Sequence, residues 1–219
     1  MPARNYLIAS NDMTLSDKKE YRQTALAAGL QRCSVVGIGN IEGDIPGLQG
    51  IPLANKAARV KLIKDYIDSG KWPKSIDQRE LRPGPAADLG ATATAIDSWL
   101  TGALAVVGTA YSCFQGPALT AVQLVAGKLL VCYGVSIDSA AVPLPVSRLT
   151  FLKGTNVQGI FDMEPLMIRW EVDAFLSEPM VFDPQEAFSI DVRCRNATRV
   201  AEIVHIHNFL FESAGQVIA

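Results

Sequence analysis

The sequence predicts a mainly β protein, in which an antiparallel sandwich follows an N-terminal helical and extended arm. Strand-like runs fill the second half of the chain, and Gly, Pro, Asp and Asn separate them, as expected between strands. Several runs alternate apolar and polar side chains with a period of two, which is typical of strands with one buried face. The first 90 residues instead carry helical patterns and a proline-rich stretch. We therefore predict an arm at 1–90 and a β-sandwich domain at 91–219.

The arm begins with a helical pattern. Thr14 followed by Asp17 is typical of a helix N-terminus, because an oxygen side chain there caps free backbone N–H groups. We expect this helix at 15–30, with Gly29 near its end. A strand-like run that ends in glycine follows at 34–39.

A second helix is predicted at 55–69. Val60, Ile63 and Ile67 recur there with helical spacing, and Gly70 follows them as a C-terminal stop. The stretch 72–90 is polar and interrupted by prolines, so it reads as an extended arm or linker.

The second half predicts eight or nine short strands. Phe188, Ile190 and Val192 alternate with polar neighbours, and Ile168 and Trp170 follow the same pattern. Many strands without strong helices between them indicate an antiparallel sandwich or barrel. The predicted strands are 103–113, 118–125, 128–137, 147–152, 159–163, 167–176, 179–182, 187–193 and 200–211.

Composition argues for a packed protein without a general affinity for nucleic acid. Hydrophobic residues make up 49% of the 219 residues, enough for a sizeable core. The formal net charge is −2, so no basic excess exists to neutralise phosphates, and no specific nucleic-acid site is predicted. The four cysteines are far apart in the sequence, so neither a zinc motif nor a disulfide framework is indicated.

A membrane span is a minor alternative. No charged residue occurs at 98–127, but Gly102, Gly108, Gly116 and Pro117 interrupt this stretch. A spanning helix needs roughly 20 consecutive apolar residues. Buried strands with tight turns are therefore the preferred interpretation.

The chain from 148 to 213 resembles the jelly-roll coat proteins of icosahedral viruses, especially those of tailless phages with an internal membrane. The resemblance lies in residues 149–154 (LTFLKG), 181–192 (VFDPQEAFSIDV) and the final strand at 202–211 (EIVHIHNFLF). It implies a jelly-roll subunit of a virion shell, made in the host cytoplasm. Its partners would be other capsid subunits, with a second coat protein and contact with an internal viral membrane as further options.

One candidate metal site competes with this interpretation. His205, His207 and Glu212 have the spacing H-x-H-x4-E, which is similar to the first metal-binding motif of cupins. Two histidines at i and i+2 of a strand face the same side, whereas strict alternation places Glu212 on the other side unless a bulge intervenes. Only seven residues follow Glu212, too few for the strands that would carry the second cupin motif. We therefore predict no metal and no cofactor, and keep these three residues as weak candidates.

Other catalytic patterns are weak, so no enzyme is predicted. No G-x-S-x-G motif occurs, as a nucleophile elbow would require. The acidic pairs Asp162 with Glu164 and Asp183 with Glu186 flank predicted turns, where solvated carboxylates are normal.

The leading hypothesis is a self-assembling viral capsid protein that acts through its surfaces. Trp72, His205 and His207 are the residues predicted to contact neighbouring subunits. The arm is expected to clamp neighbours, so a chain without residues 1–70 should still fold as a sandwich but fail to assemble. A cupin-like metal enzyme and a receptor- or glycan-binding virion protein remain the alternatives.

Overall fold

The computed structural model describes residues 6–81, 110–112, 122–138, 146–164, 166, 173–194 and 203–215. Within these ranges the chain is mainly β, as predicted. The helices are α1 (Leu15–Val36), α2 (Ile41–Asp44) and α3 (Lys56–Asp68). The strands are β1 (Leu7–Ala9), β2 (Ile76–Arg79), β3 (Ala110–Ser112), β4 (Val122–Gln123), β5 (Lys128–Asp138), β6 (Val146–Lys153), β7 (Asn156–Asp162), β8 (Asp173–Phe182), β9 (Ala187–Cys194) and β10 (Ile203–Ser213).

The strands form two antiparallel sheets. The first sheet has five strands in the order β1-β8-β5-β10-β2. The second follows the path β3-β9-β6-β7, after which we call it the four-stranded sheet; the two-residue β4 pairs with β9 off this path. Neighbours in sequence are mostly not neighbours in the sheets, so the chain crosses repeatedly from one sheet to the other.

Alternating side chains from both sheets fill the space between them. Phe188, Ile190 and Val192 of β9 are fully buried there, which confirms the predicted face of this strand. The ring of Phe182 stacks on Phe188, with 4.6 Å between centroids. Removal of these apolar side chains from water is the main driving force for folding of a sandwich.

Helix α1 begins where the sequence predicts. The Thr14 side chain accepts a hydrogen bond from the Asp17 backbone N–H, and the Asp17 carboxylate accepts one from the Thr14 backbone N–H. The helix then continues to Val36 rather than ending near residue 30, so the predicted strand-like run at 34–39 is wrong. Gly37 ends the helix with φ 78°, a left-handed conformation that glycine adopts easily.

Gly29 has a packing role instead of a terminal one. A Cβ atom at this position would collide with the Phe211 ring and approach Val131 to 3.0 Å. Helix α1 therefore lies directly on the outer face of the five-stranded sheet. The apolar cluster at this interface joins α1 and α3 to five buried sheet residues: Ile76, Leu129, Val131, Phe209 and Phe211.

Helix α3 confirms the second helical prediction, with Asn55 and Ser69 as its caps. The buried Arg59 of α3 links this helix to α1, to α2 and to the loop that precedes α3. The Arg59 guanidinium donates to the Ile51 carbonyl at 2.8 Å and to the Ser34 hydroxyl at 3.0 Å. It also forms an ion pair with Glu42 at 2.6 Å.

The N-terminal segment contributes two strands to the sandwich, in contrast to the separate arm that the sequence predicts. β1 pairs with β8, and β2 pairs with β10. β2 lies within the stretch interpreted as a linker, and its short, polar sequence suits an edge strand. The predicted boundary near residue 90 and the expected face of 167–172 lie outside the described residues.

Strand β8 corrects a second boundary. A single strand runs through Pro179, where the sequence analysis expected a break between two strands. Phe175 pairs with Gly134 and Met180 pairs with Cys132, so four residues of β8 lie opposite Tyr133 alone. The ladder is irregular at Pro179, and a residue without an N–H is tolerated at such a position.

Candidate functional site

The two histidines of β10 lie on the outer face of the five-stranded sheet. His205 pairs with Ser136 and His207 with Gly134, and Phe209 continues the same face beneath α1. His205 is exposed, whereas the His207 side chain is 30% exposed. As predicted, the two imidazoles share one side of the strand.

Glu212 belongs to the opposite face. Its carboxylate accepts a hydrogen bond from Arg79 Nε at 2.9 Å and lies 3.0 Å from Lys128 Nζ. Burial by itself raises the pKa of Glu212, but the hydrogen bonds from Arg79 and Lys128 outweigh it and hold the pKa below its ordinary value. Glu212 is therefore a structural carboxylate between two cations.

The three weak metal candidates are thus not brought together. The only register shift between β10 and β5 places the extra residue on β5, so the alternation of β10 continues unbroken from His207 to Glu212. In the ranges that the structure describes, no cluster of three His, Cys, Asp or Glu side chains has metal-binding proximity.

The bulge on β5 creates an aromatic surface beside His207. It turns both Tyr133 and Gly134 towards the outer face. A Cβ on Gly134 would come within 2.8 Å of the Ala174 carbonyl oxygen and 3.0 Å of His207 Cδ2. The glycine therefore allows the imidazole to lie close to the backbone. The His207 ring is nearly parallel to the Tyr133 ring, with 5.9 Å between centroids and 27° between planes.

Asp173 on β8 holds the imidazole from the far side of β5, which lies between β8 and β10. His207 Nε2 lies 2.9 Å from Asp173 Oδ1. This hydrogen bond is the main reason why the pKa of Asp173 lies below its ordinary value. A carboxylate that accepts from a histidine fixes the orientation of the ring.

A pocket of about 400 Å³ opens above these side chains. Its other wall is the N-terminal part of α1. The lining residues are Lys18, Lys19, Arg22, Tyr133, Asp173, Phe175 and His207. Of these residues, only His207 is a candidate site residue from the sequence alone. The close spacing of Lys18, Lys19 and Arg22 is a signal for a basic helix face, but their aromatic neighbours are more than 100 residues away in the sequence.

A larger groove of about 830 Å³ lies between α1, the 53–56 loop and the end of β8. Its charges are mostly paired within the chain. Arg32 binds Asp183 through two hydrogen bonds of 2.8 and 2.5 Å, and Lys153 lies 3.0 Å from Glu186. Asp183 and Glu186 thus serve in ion pairs.

Trp72 is half-buried within its own chain. Its indole N–H donates to the Ile76 carbonyl at 2.8 Å, and the ring packs against the cluster beneath the helices. Its predicted contact with a neighbouring subunit stays a prediction.

Exposed apolar side chains occur on β7, an edge strand of the four-stranded sheet. Val157 is 52% exposed and Ile160 is 49% exposed. Exposed apolar side chains at a sheet edge mark a surface that is available for association with another molecule.

Comparison with known proteins gives no identification, since neither a protein-family model nor a curated protein matches the sequence. Helices in the described part of the chain are all too short or too polar to cross a membrane.

Proposed function

We propose that this chain is a jelly-roll coat subunit that assembles with copies of itself into the shell of an icosahedral virion. The supporting observation is the pairing of its strands. In a jelly roll, eight strands wind so that the first pairs with the eighth, the second with the seventh, the third with the sixth and the fourth with the fifth.

The described strands fit this scheme. With β2 as the first strand and β3 and β4 together as the second, the pairs β2–β10, β3–β9, β5–β8 and β6–β7 match in turn. β10 also pairs with β5 and β9 with β6, so that each set of four strands forms one sheet. β1 is then an addition at the edge of the five-stranded sheet.

The jelly roll also carries enzymes and lectins, so the choice between them rests on the sites. A cupin-type enzyme needs metal ligands that point into the barrel, whereas His205 and His207 lie on the outer face. The space between the sheets is filled by apolar side chains such as Phe151, Phe161 and Phe182. A function carried by surfaces fits these observations better.

The test is the mass of the purified full-length chain by light scattering, together with electron microscopy of the same sample. We expect closed particles, or pentamers and hexamers that close into them. A chain that remains monomeric or dimeric across protein concentration and salt would contradict the proposal.

A surface variant sharpens the test. Ile160→Lys places a charge on the exposed apolar side of β7 and should reduce assembly, because burying an unpaired charge at an interface is costly. Asn156→Lys is the matched control, since Asn156 is exposed on the same strand and polar. Assembly that is equally affected in both variants would exclude β7 as a specific contact.

A further inference from the structure

The pocket between α1 and the five-stranded sheet has a cationic wall and an aromatic floor. One wall carries the ammonium groups of Lys18 and Lys19 and the guanidinium of Arg22, and the floor carries flat rings. Neither property is required for the proposed sandwich core.

Ion pairs do not neutralise the positive charges of the pocket within the described part of the chain. Lys18, Lys19 and Arg22 form no ion pair with any residue that the structure describes. Arg22 instead lies over the Phe209 ring, 5.4 Å from its centroid. The one carboxylate in the pocket, Asp173, is already bonded to His207. The pocket is therefore locally cationic on a protein whose net charge is −2, and anions should be attracted to it.

Tyr133, Phe175 and His207 form the floor of the pocket, and Tyr133 also packs on Phe209, whose ring is buried and does not line the pocket. Phe209 stacks on Tyr133 with 4.6 Å between centroids and 19° between planes. Phe175 and His207 flank it at 6.4 and 5.9 Å, with interplanar angles of 23° and 27°. Rings that are already oriented in one direction present a ready surface for another flat ring.

We propose that this pocket binds a nucleobase together with its phosphate. The base would stack on the side of the pocket formed by Tyr133 and His207, as bases stack on aromatic side chains in single-strand binding proteins. The phosphate would contact Lys18, Lys19 and Arg22, because cationic donors form the strongest hydrogen bonds with phosphate. A volume of about 400 Å³ lies in the range of small-ligand pockets.

This proposal differs from binding of nucleic acid by the whole surface, which the net charge disfavours. A single local site contacts one base and one phosphate. Either a free nucleotide or one unit of a single strand carries both groups. The same chemistry applies to the two sources, so the experiment has to separate them.

The test uses calorimetric titration of the purified full-length protein with adenosine monophosphate. Adenosine and ribose 5-phosphate serve as ligands that lack one half of the recognition. We expect adenosine monophosphate to bind at one site per chain, and each half-ligand to bind about tenfold more weakly or not at all. Equal affinity for ribose 5-phosphate and adenosine monophosphate would overturn the role of the aromatic floor.

Charge-matched variants locate the site. Lys18→Gln with Lys19→Gln should weaken binding about tenfold. The control is Lys61→Gln with Lys74→Gln, which removes the same charge from exposed positions outside the pocket and should bind like the wild type. Equal weakening in both double variants would mean unspecific electrostatic attraction and would overturn the proposal, as would no binding of adenosine monophosphate at millimolar concentration.

A hexamer of deoxyadenylate distinguishes the two sources. Binding of the hexamer at least tenfold tighter than the mononucleotide, with the same loss in the Lys18/Lys19 variant, indicates that single strands are the ligand. Binding no tighter than the mononucleotide indicates a free nucleotide. Hexamer binding that the Lys18/Lys19 variant leaves unchanged would place single-strand binding elsewhere and contradict the proposal for that source.

Discussion

The outer faces of the two sheets differ in what happens to their apolar side chains. On the five-stranded sheet, Phe209 and Phe211 are covered by helices of the same chain and are at most 1% exposed. On the edge strand of the four-stranded sheet, Val157 and Ile160 remain about half exposed. The first face therefore contributes to the stability of the monomer, and the second is available for contacts between molecules.

Removal of residues 1–70 should break this arrangement most severely. The deletion uncovers Leu129, Val131, Phe209 and Phe211, and it removes β1. We expect loss of soluble folded protein, in contrast to the sandwich that the sequence analysis expected to survive. Expression followed by circular dichroism and urea denaturation measures this. A soluble fragment with a cooperative unfolding transition would show that the helical layer is dispensable for folding.

Phe211→Ala compares the two faces directly. Phe211 is fully buried against Gly29, so its truncation should lower the free energy of unfolding by about 3–5 kcal/mol. Val157→Ala is the matched change on the exposed face and should alter it by no more than about 0.5 kcal/mol. Chemical denaturation gives both values, and similar losses in the two variants would contradict the comparison.

Arg59→Met tests how much the buried guanidinium that links α3 to α1 and α2 stabilises the protein. The substitution leaves the Leu48 and Ile51 carbonyls and the Ser34 hydroxyl without their donor. We expect a loss of about 2–4 kcal/mol in the free energy of unfolding. Lys61→Met on the same helix replaces an exposed cation and should change the stability by at most about 0.5 kcal/mol. Equal effects of both variants would argue against a specific role for the buried guanidinium.

The smallest expected effect is the pH dependence of the Arg32–Asp183 pair, which joins α1 to the end of β8. The hydrogen bonds from Arg32 hold the pKa of Asp183 below its ordinary value of 3.8. The pair therefore stabilises the fold above about pH 4, and this contribution is lost as the pH falls through the lowered pKa. Because the two side chains are 41% and 22% exposed, the effect should be about 1 kcal/mol.

Asp183→Asn and wild type should therefore differ in the free energy of unfolding at pH 7, and this difference should shrink below about pH 4. Denaturation of both proteins from pH 2 to pH 7 measures it, and Arg32→Gln should flatten the profile in the same way. A difference that stays constant over this range would mean that the ion pair does not control the acid response.

Local patterns allowed several elements to be predicted from the sequence. The cap of α1 acts on backbone groups within one turn, and α3 follows from the helical spacing of Val60, Ile63 and Ile67. The alternation in β9 depends only on neighbouring side chains. The end of α1 was placed too early because Gly29 was interpreted as a helix stop. A glycine is needed at this position because the Phe211 ring leaves no room for a side chain, and Phe211 is 182 positions away in the chain.

The sequence by itself determined the mainly β class, the two main helices and the shared face of His205 and His207, because these follow from backbone geometry over a few residues. The tertiary structure decided the order of the strands, the packing of α1 on the sheet and the bulge at Tyr133 and Gly134. It alone brings Lys18 and Lys19 next to His207. Contacts between distant parts of the chain depend on how surfaces fit together, and no local pattern contains that information.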